Sequence, residues 1–250
     1  MLPVRTPRFY VEFAESMLES ALAEQSPIEL PAAVARHAGR ALRLRQGDIV
    51  TLFNGSGTEY AGPITFIQDS TTMTPTEKLE PERESPVRIT LVQSLVAPEK
   101  LDWIVEKAVE LGVAKLVLIP AMRSVTRLSG DRLEKRVQKC RDIAISAAEQ
   151  CGRNRLMTIE AAPSTEAAFK NLEADIRFIL APRASEPAQL PSTLQSIALA
   201  IGPEGGFDTK EIELAQSLGW KAALLGPRVL RTETAGLAAT CWVQSLTGGF

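Results

Sequence analysis

The C-terminal two thirds of the chain alternate short apolar runs with longer segments in which apolar residues recur every three or four positions. Short apolar runs are typical of buried strands, whereas the longer spacing is typical of helices that bury one face. The predicted strands cover residues 88–95, 115–119, 177–180, 197–201 and 222–225. Strands that are joined by helices lie parallel in one sheet, so we expect an α/β domain.

The first 80 residues show a different pattern, in which turn sequences separate runs of β-branched and aromatic residues. We predict strands at residues 8–13, 49–53, 59–67 and 71–79, and a helix at residues 31–42. These strands indicate a small β-rich domain, and we expect a barrel. A polar segment bounded by proline, residues 80–86, then forms the linker. The sequence therefore predicts two domains, at residues 1–80 and 81–250.

Composition narrows the class of protein. Hydrophobic residues make up 45% and charged residues 23% of the chain, and the formal net charge is −2, all ordinary for a globular protein. No apolar run approaches the roughly 20 residues of a membrane-spanning helix, and we see no apolar region of a secretory signal. Three cysteines do not form a disulfide framework, and a single histidine without a Cys-x-x-Cys pair argues against structural zinc. We therefore expect a cytoplasmic protein with free thiols, no membrane segment and no metal.

Two of the predicted strands end in Gly-Pro, at Gly202 and at Gly226, and a loop follows each of them. Ligands of parallel sheets bind beyond the carboxyl ends of the strands, where these loops lie. Neither loop has the spacing of a phosphate loop or of a dinucleotide-binding turn, so those ligands are disfavoured. Main-chain groups at such glycines suit an adenosine-like group. Two tight turns without a ligand are the alternative.

Both loops lead into predicted helices. Asp208 and Glu211 form a capping box at the start of the first helix. Thr232 or Thr234 is expected to cap the second helix. The strand, loop and helix order thus occurs twice in succession, and we place the active site at the two loops.

Two charged clusters lie on or near these elements. Arg231 and Glu233 place a cation and a carboxylate beside the start of the second helix. They form either a simple ion pair or a pair of groups that orients a substrate. Glu106, Lys107 and Glu110 lie on the polar side of an earlier helix, where we expect a buried scaffold network in which Lys107 pairs with Glu110.

Basic residues are concentrated in two parts of the chain. Residues 31–46 contain no acidic residue, and Arg36, Arg40 and Arg43 share one face of the predicted helix. Residues 123–155 also hold more basic than acidic side chains. Each of these two basic regions is either simply solvated or in contact with phosphate groups of a large anionic partner.

Five motifs occur in order along the whole chain. They are HAGRALRLRQGD at residues 37–48, EKAVELG at 106–112, EQCGRNR at 149–155, GPEGGF at 202–207 and LLGPRVLRTETA at 224–235. Together they resemble the bacterial 16S rRNA uracil-N3 methyltransferases, which belong to the SPOUT, or α/β-knot, methyltransferases. The resemblance implies an N-terminal PUA-like β-barrel that binds RNA and a C-terminal α/β trefoil-knot domain with a parallel sheet. It also implies S-adenosylmethionine as cofactor and a homodimer.

The resemblance also implies roles for individual residues. Cofactor binding is implied for Leu180 and Ala181, in the matched segment 180–184, and for Ile201, Gly202, Pro203, Glu204, Gly205, Gly206, Leu225, Gly226, Val229, Leu230, Arg231 and Thr234. As catalytic residues we predict Arg231 and Glu233, from the chemistry of the implied reaction. Together with the basic clusters, the resemblance makes these residues candidates for RNA contact: Arg8, Arg36, His37, Arg40, Arg43, Arg45, Arg123, Arg127, Arg153 and Arg155.

The implied reaction is methylation of N3 of a specific uridine in the decoding region of the 16S rRNA of the small ribosomal subunit. N3 lies on the pairing edge and carries a proton at neutral pH, so the base must be unpaired and must lose that proton. Arg231 would stabilise the negative charge on the uracil oxygens, and the proton acceptor is Glu233, a water or a residue of a partner subunit. Two alternatives stay open: a non-catalytic RNA-binding ribosome-assembly factor, and a SPOUT methyltransferase with another RNA target.

Overall fold

The computed structural model of the chain describes residues 6–68, 70–182, 184, 188–191 and 193–249. The chain divides into two compact units. Unit 1 comprises the chain up to Arg83 together with Ala148–Leu156, and unit 2 comprises Glu84–Ala147 and the chain from Met157 onward. The sequence pattern did not indicate that the segment Ala148–Leu156 belongs with unit 1.

Unit 1 is built around a mixed sheet. Its elements are β1 (Arg8–Tyr10), α1 (Glu15–Glu24), β2 (Ile28–Glu29), α2 (Ala32–Arg36), a π-helical turn (His37–Ala41), β3 (Ile49–Phe53), β4 (Glu59–Ile67), β5 (Ser70–Met73) and β6 (Glu77–Leu79). The strand order is β1-β3-β4-β5-β2, with β6 paired to β4. β1 runs parallel to β3, and the other described pairs are antiparallel. Phe9, Leu18, Leu52 and Ile64 are among the buried side chains of its core.

Several sequence predictions for this unit are wrong in detail. The helix expected at residues 31–42 is α-helical only to Arg36 and then becomes a π-helical turn. Arg43 follows with a left-handed backbone (φ 54°), so it does not continue a helical face. The strand expected at residues 71–79 is two strands, because Pro75 between them has no amide proton for a sheet hydrogen bond. The helix α1 was not predicted.

Hydrogen bonds explain why the segment Ala148–Leu156 belongs to unit 1. Asn154 Nδ2 donates to the carbonyl oxygens of Gly57 at 2.6 Å and Pro81 at 3.2 Å. The backbone N–H of Tyr10 donates to the Glu149 carboxylate at 2.8 Å. These partners are far apart in the sequence, so no local pattern reports them.

Unit 2 is an α/β structure with a parallel sheet. Its elements are β7 (Arg88–Ser94), α3 (Pro98–Glu110), β8 (Lys115–Ile119), α4 (Gly130–Cys151, which runs on into the segment of unit 1), β9 (Thr158–Ala161), α5 (Thr165–Asn171), β10 (Ile176–Leu180), β11 (Ser196–Ile201), α6 (Thr209–Ser217), β12 (Lys221–Ala223) and α7 (Thr232–Thr247). The strand order is β12-β10-β11-β7-β8-β9, and each described pair is parallel. The predicted parallel sheet is confirmed, although β9 and α5 were not predicted.

Local chemistry explains the helices that flank this sheet. α3 begins at Pro98, which the first turn tolerates, and it buries Leu101 and Ile104 on one face. At α6, the Asp208 side chain and the Glu211 side chain cap each other's backbone N–H groups, which confirms the predicted capping box.

Candidate active site

A cavity of about 770 Å³ lies at the carboxyl ends of β10, β11 and β12 in unit 2. Four segments form most of its wall: residues 180–182, 201–207, 223–225 and 228–233. These are the last residues of the three strands and the loops that follow them. Both glycine loops that the sequence indicated therefore contribute to one cavity.

Most of the residues expected to bind a cofactor line this cavity. They are Leu180, Ala181, Ile201, Gly202, Pro203, Glu204, Gly205, Gly206, Leu225, Val229, Leu230 and Arg231, and the catalytic candidate Glu233 lines it too. Gly226 is not part of the wall and occupies a turn with φ 78°. Thr234 is not part of the wall either: it lies in the first turn of α7, where its N–H donates to the Arg231 carbonyl at 2.9 Å. Arg183 of the matched segment is outside the described residues.

The loop between β11 and α6 depends on two glycines. A Cβ atom at Gly202 would lie 2.8 Å from the backbone nitrogen of Phe207, so a larger residue forces the loop to shift. Gly206 adopts φ 67°, a left-handed conformation that favours glycine, and its N–H donates to the Pro203 carbonyl at 2.8 Å. The tight path of this loop therefore follows from its sequence.

A buried hydroxyl connects the start of α7 to the ends of two strands. The expectation that Thr232 or Thr234 caps α7 is wrong: Arg231 is the N-cap residue and makes no side-chain cap. The Thr232 hydroxyl instead donates to the Gly202 carbonyl at 2.6 Å and accepts from Gln93 Nε2 at 3.0 Å. Because Gln93 is the second-last residue of β7 and Gly202 directly follows β11, these bonds connect the start of α7 to the carboxyl ends of both strands.

Four charged side chains meet at the cavity. Lys100 Nζ lies 3.0 Å from Glu204 Oε1 and 3.7 Å from Glu233 Oε2. Arg231 Nη1 lies 3.9 Å from Glu233 Oε1. The Arg231 side chain is 84% exposed, whereas that of Glu233 is 18% exposed. Glu233 Oε2 is buried and has no hydrogen-bond partner in the described structure.

Lys100 and Glu204 favour each other's charged forms. Burial raises the pKa of Glu204, but the hydrogen bond and the charge of Lys100 outweigh it, and the pKa lies below its usual value. The hydrogen bond to Glu204 is the main cause that raises the pKa of Lys100. Both groups are therefore ionised at neutral pH.

Sequence reasoning missed Lys100 and Gln93 as residues of this site. Gln93 lies at the carboxyl end of β7, and Lys100 lies in the first turn of α3, which follows β7. Since β7 pairs directly with β11, the rule that ligands bind at the carboxyl ends of parallel strands applies to this end as well. The sequence therefore carried a signal for Lys100 and Gln93, namely their position at or just after the carboxyl end of a predicted strand.

The basic candidates of unit 1 fall into two groups. Arg36, His37, Arg40, Arg43, Arg45 and Arg155 are exposed. The Arg8 side chain and Arg153 are buried: Arg8 Nη1 pairs with Glu59 Oε1 at 2.6 Å, and Arg8 Nη2 donates to the Arg153 carbonyl at 3.0 Å. Arg8 and Arg153 therefore hold unit 1 together and are poorly placed for direct RNA contact.

The basic candidates of unit 2 lie between β8 and α4. Arg123 and Arg127 are both exposed. Arg123 lines the cavity, and its Nη2 atom lies 2.9 Å from Asp208 Oδ2. A cation that is already paired offers less charge to a ligand, so Arg127 is the freer of the two for contact with an anion.

The charged cluster on α3 differs from its expected form. Lys107 Nζ lies 2.7 Å from both Glu106 Oε1 and Glu110 Oε1, so the pairing with Glu110 is confirmed. The three side chains are partly exposed and do not form a buried network. Lys107 also lies over the ring of Trp103, 5.0 Å from its centroid.

The described part of the chain contains neither a metal-binding cluster nor a helix that could span a membrane. No group of three or more His, Cys, Asp or Glu residues there is arranged to hold a metal ion. None of its helices has the length and apolar character needed to cross a membrane. The three cysteines are free, and burial raises the pKa of the Cys140 thiol to about 11.

The chain matches two family models. An RNA methyltransferase domain covers residues 83–244, and an RNA methyltransferase PUA domain covers residues 30–71. Because the first match spans well over half of the sequence, the chain belongs to this family of RNA methyltransferases.

Similar proteins of known name indicate a more specific group within this family. The ribosomal RNA small subunit methyltransferase E of Bacillus subtilis (strain 168) is 26% identical over 243 residues, which is 93% of each chain. The protein of the same name from Buchnera aphidicola subsp. Schizaphis graminum is 29% identical over 248 residues, 96% of each chain. The resemblance to the rRNA methyltransferases is thus confirmed.

Solved structures agree over nearly the whole length. A Legionella pneumophila protein in complex with the cofactor SAM has a TM-score of 0.88 and 32% identity, with 97% of this chain and 98% of that one aligned. The ribosomal RNA small subunit methyltransferase E of Neisseria gonorrhoeae, bound to S-adenosyl methionine, has a TM-score of 0.86 and 30% identity, with the same coverage. Together with the PUA match, they confirm the α/β domain and the PUA-like N-terminal region.

Proposed function

We propose that this protein transfers the methyl group of S-adenosylmethionine to N3 of a specific uridine in the decoding region of 16S rRNA of the small ribosomal subunit. The names of the relatives support rRNA as substrate. The cofactor bound in two similar structures supports S-adenosylmethionine. The observation that carries the proposal is the cavity at the strand ends, because its residues suit this cofactor.

The fit to the cofactor can be judged from the cavity wall. Its volume of about 770 Å³ lies within the range of about 300–1,000 Å³ that is usual for small-molecule sites. The loop at Gly202 offers main-chain groups to an adenosine-like ligand. Glu204 and Glu233 add carboxylate oxygens to the wall, and carboxylates accept hydrogen bonds from the donor groups of a ligand.

When bound, S-adenosylmethionine supplies an electrophilic methyl group, so the chain's own residues have to position and deprotonate the uracil. Arg231, at the cavity edge, would stabilise the negative charge that develops on the uracil oxygens. Glu233 is the candidate in this chain for accepting the N3 proton, with a water or a residue of a partner subunit as alternatives. Holding the reacting atoms in line supplies much of the rate enhancement in such a site.

The RNA has to present an unpaired base, because N3 lies on the pairing edge. We propose that exposed arginines contact its phosphates: Arg36, Arg40 and Arg43 from unit 1, and Arg123 and Arg127 from unit 2. The lack of acidic residues at positions 31–46 and the PUA match at residues 30–71 support the role of unit 1.

We further propose that unit 2 contains a trefoil knot and acts as a cytoplasmic homodimer with its cavity near the dimer interface, as the SPOUT resemblance implies. Trp103 of α3 is 52% exposed and Leu246 of α7 is 61% exposed, and α3 packs against α7. A contiguous apolar patch that includes these side chains would favour a protein partner. Trp103→Glu should reduce the mass measured by light scattering from twice to once the chain mass, and an unchanged mass would exclude Trp103 from the interface.

Mapping the methyl group tests the proposed function directly. In rRNA from a strain that lacks this gene, mass spectrometry should find the target uridine unmethylated, and purified protein with S-adenosylmethionine should restore N3-methyluridine. If N3-methyluridine persists in the deletion strain, the assignment is wrong. A methyl group at another position would identify a different RNA target. RNA binding without any cofactor uptake in calorimetry would identify a non-catalytic assembly factor.

The role of Arg231 has its own test. Arg231→Ala should lower kcat by about 100-fold, because a charge-stabilising group is worth that order of rate. The melting temperature should hardly change, since the side chain is largely exposed. Arg88→Ala, at an exposed arginine of β7, is the control and should retain full activity. Unaltered methyl transfer in Arg231→Ala would remove this arginine from the mechanism.

A further inference from the structure

Lys100 connects two loops of the cavity through its ammonium group. It lies in the first turn of α3, and its Nζ atom is 3.0 Å from Glu204 Oε1 in the loop after β11. The same atom is 3.7 Å from Glu233 Oε2 in the first turn of α7. Lys100 and both carboxylates line the cavity, so this contact is part of the site.

Glu233 has few other restraints. Its Oε2 atom is buried without a hydrogen bond, and the 3.7 Å separation from Lys100 is an ion pair rather than a hydrogen bond. Its Oε1 atom lies 3.9 Å from Arg231, whose side chain is 84% exposed and therefore a weak anchor. Lys100 is the better anchor, because its hydrogen bond to Glu204 fixes the ammonium group.

We propose that Lys100 is a positioning residue for methyl transfer: it bridges Glu204 and Glu233, and its contact with the buried Oε2 atom holds the Glu233 carboxylate at the cavity so that the other oxygen, Oε1, can accept the N3 proton. The proposal rests on the proposed function and deepens it. Lys100 acts through Glu233, while Glu204 keeps the ammonium group in place.

The charges around this bridge favour such a role over simple stabilisation. Lys100 is 31% exposed and Glu204 is 37% exposed, and ion pairs of that exposure contribute little to folding. Within the cavity, however, the lysine separates two like charges. Without it, Glu233 would repel Glu204 and turn toward solvent, which removes the proton acceptor from the reacting atoms.

The variants Lys100→Met and Lys100→Arg test this role, with Lys115→Met as a matched control. Lys115 is 30% exposed and pairs with Glu160 at 2.8 Å, at the start of β8 and away from the cavity. Lys100→Met should lower kcat by about 10- to 100-fold, the order expected for a misplaced catalytic group. The KM for RNA should change little. Lys100→Arg should recover most of the rate, and Lys115→Met should match the wild-type protein.

A double-variant comparison separates positioning from a general structural effect. If Lys100 acts through Glu233, adding Lys100→Met to Glu233→Gln should lower kcat by less than about twofold further. If Lys100 had only a structural role, the loss in kcat from Lys100→Met would multiply with the loss in kcat from Glu233→Gln. Full multiplication of the two effects, or a Lys100→Met variant with wild-type kcat, would overturn the proposal.

Two readouts do not depend on turnover. A crystal structure of cofactor-free Lys100→Met should show the Glu233 carboxylate displaced from its buried position, whereas Lys115→Met should retain it; an undisplaced Glu233 would overturn the proposal. Calorimetry with S-adenosylhomocysteine on the wild-type protein tests the proposed function separately. A wild-type protein that binds and methylates while Lys100→Met behaves identically would refute only the role of Lys100.

Discussion

Glu15 organises a turn of unit 1 with a single carboxylate. It accepts hydrogen bonds from Tyr60 Oη at 2.5 Å, Asn54 Nδ2 at 2.9 Å and Ser56 Oγ at 2.9 Å. The acceptor lies at the start of α1, while the donors lie on β4 and in the turn before it. Burial raises the pKa of Glu15, but the hydrogen bonds from Tyr60, Ser56 and Asn54 outweigh it and lower the pKa overall.

This lowered pKa predicts a pH dependence of stability. A carboxyl group whose pKa is lower in the folded protein stabilises it above the unfolded pKa, at about 4.3 for glutamate, and the contribution disappears as the pH falls through the folded pKa. Glu15→Gln should therefore reduce the free energy of unfolding at pH 7 more than at pH 3. Urea unfolding across this range measures it, with the exposed Glu12→Gln as control. An equal loss at both pH values would contradict the role of the charge.

Among the structural elements, the loop between β11 and α6 leads to a testable prediction about ligand binding. Because an added Cβ at Gly202 would lie 2.8 Å from the Phe207 nitrogen, Gly202→Ala has to move the loop that lines the cavity. We expect calorimetry to show S-adenosylhomocysteine binding weakened by about tenfold or more, an order that corresponds to about 1.4 kcal/mol. Gly39→Ala is the control, since its added carbon would make an ordinary 3.6 Å contact with Phe66. Unchanged binding in Gly202→Ala would show that the loop does not hold the cofactor.

The sequence indicated those elements whose causes are local. The Gly202-Pro203 pair directly after β11 and the Asp208–Glu211 capping box each act within a few residues, and both are present in the structure. The second predicted strand ends earlier than expected, because β12 stops at Ala223, before the Gly226-Pro227 pair. Lys100 was missed because its partner Glu204 is 104 positions away, and only the pairing of β7 with β11 brings their loops together. The cap of α7 was misjudged for a similar reason: the Thr232 hydroxyl has a tertiary partner in place of the helix N–H groups.

In the whole molecule, the two units differ in chemistry, and we assign RNA binding to unit 1 and cofactor binding to unit 2. The methyl-donor cavity is built entirely from unit 2, whereas unit 1 carries exposed basic residues and the PUA match. Changes of charge on unit 1 should therefore affect RNA affinity without affecting the cofactor. This separation can be measured, because phosphate contacts give binding a characteristic dependence on salt.

The double variant Arg40→Glu/Arg43→Glu tests this division of work. Both arginines are exposed, and the reversal of their charges should weaken rRNA binding. The negative slope of log K against log salt should become shallower by about 2, one for each phosphate that an arginine no longer neutralises. S-adenosylhomocysteine binding should stay within error of the wild-type protein. Lys170→Glu/Lys221→Glu carries the same charge change on exposed residues of unit 2 that we do not assign to RNA, so it should leave the slope unchanged. If both double variants shift the slope equally, the effect reflects net charge, and Arg40 and Arg43 do not form a specific RNA contact.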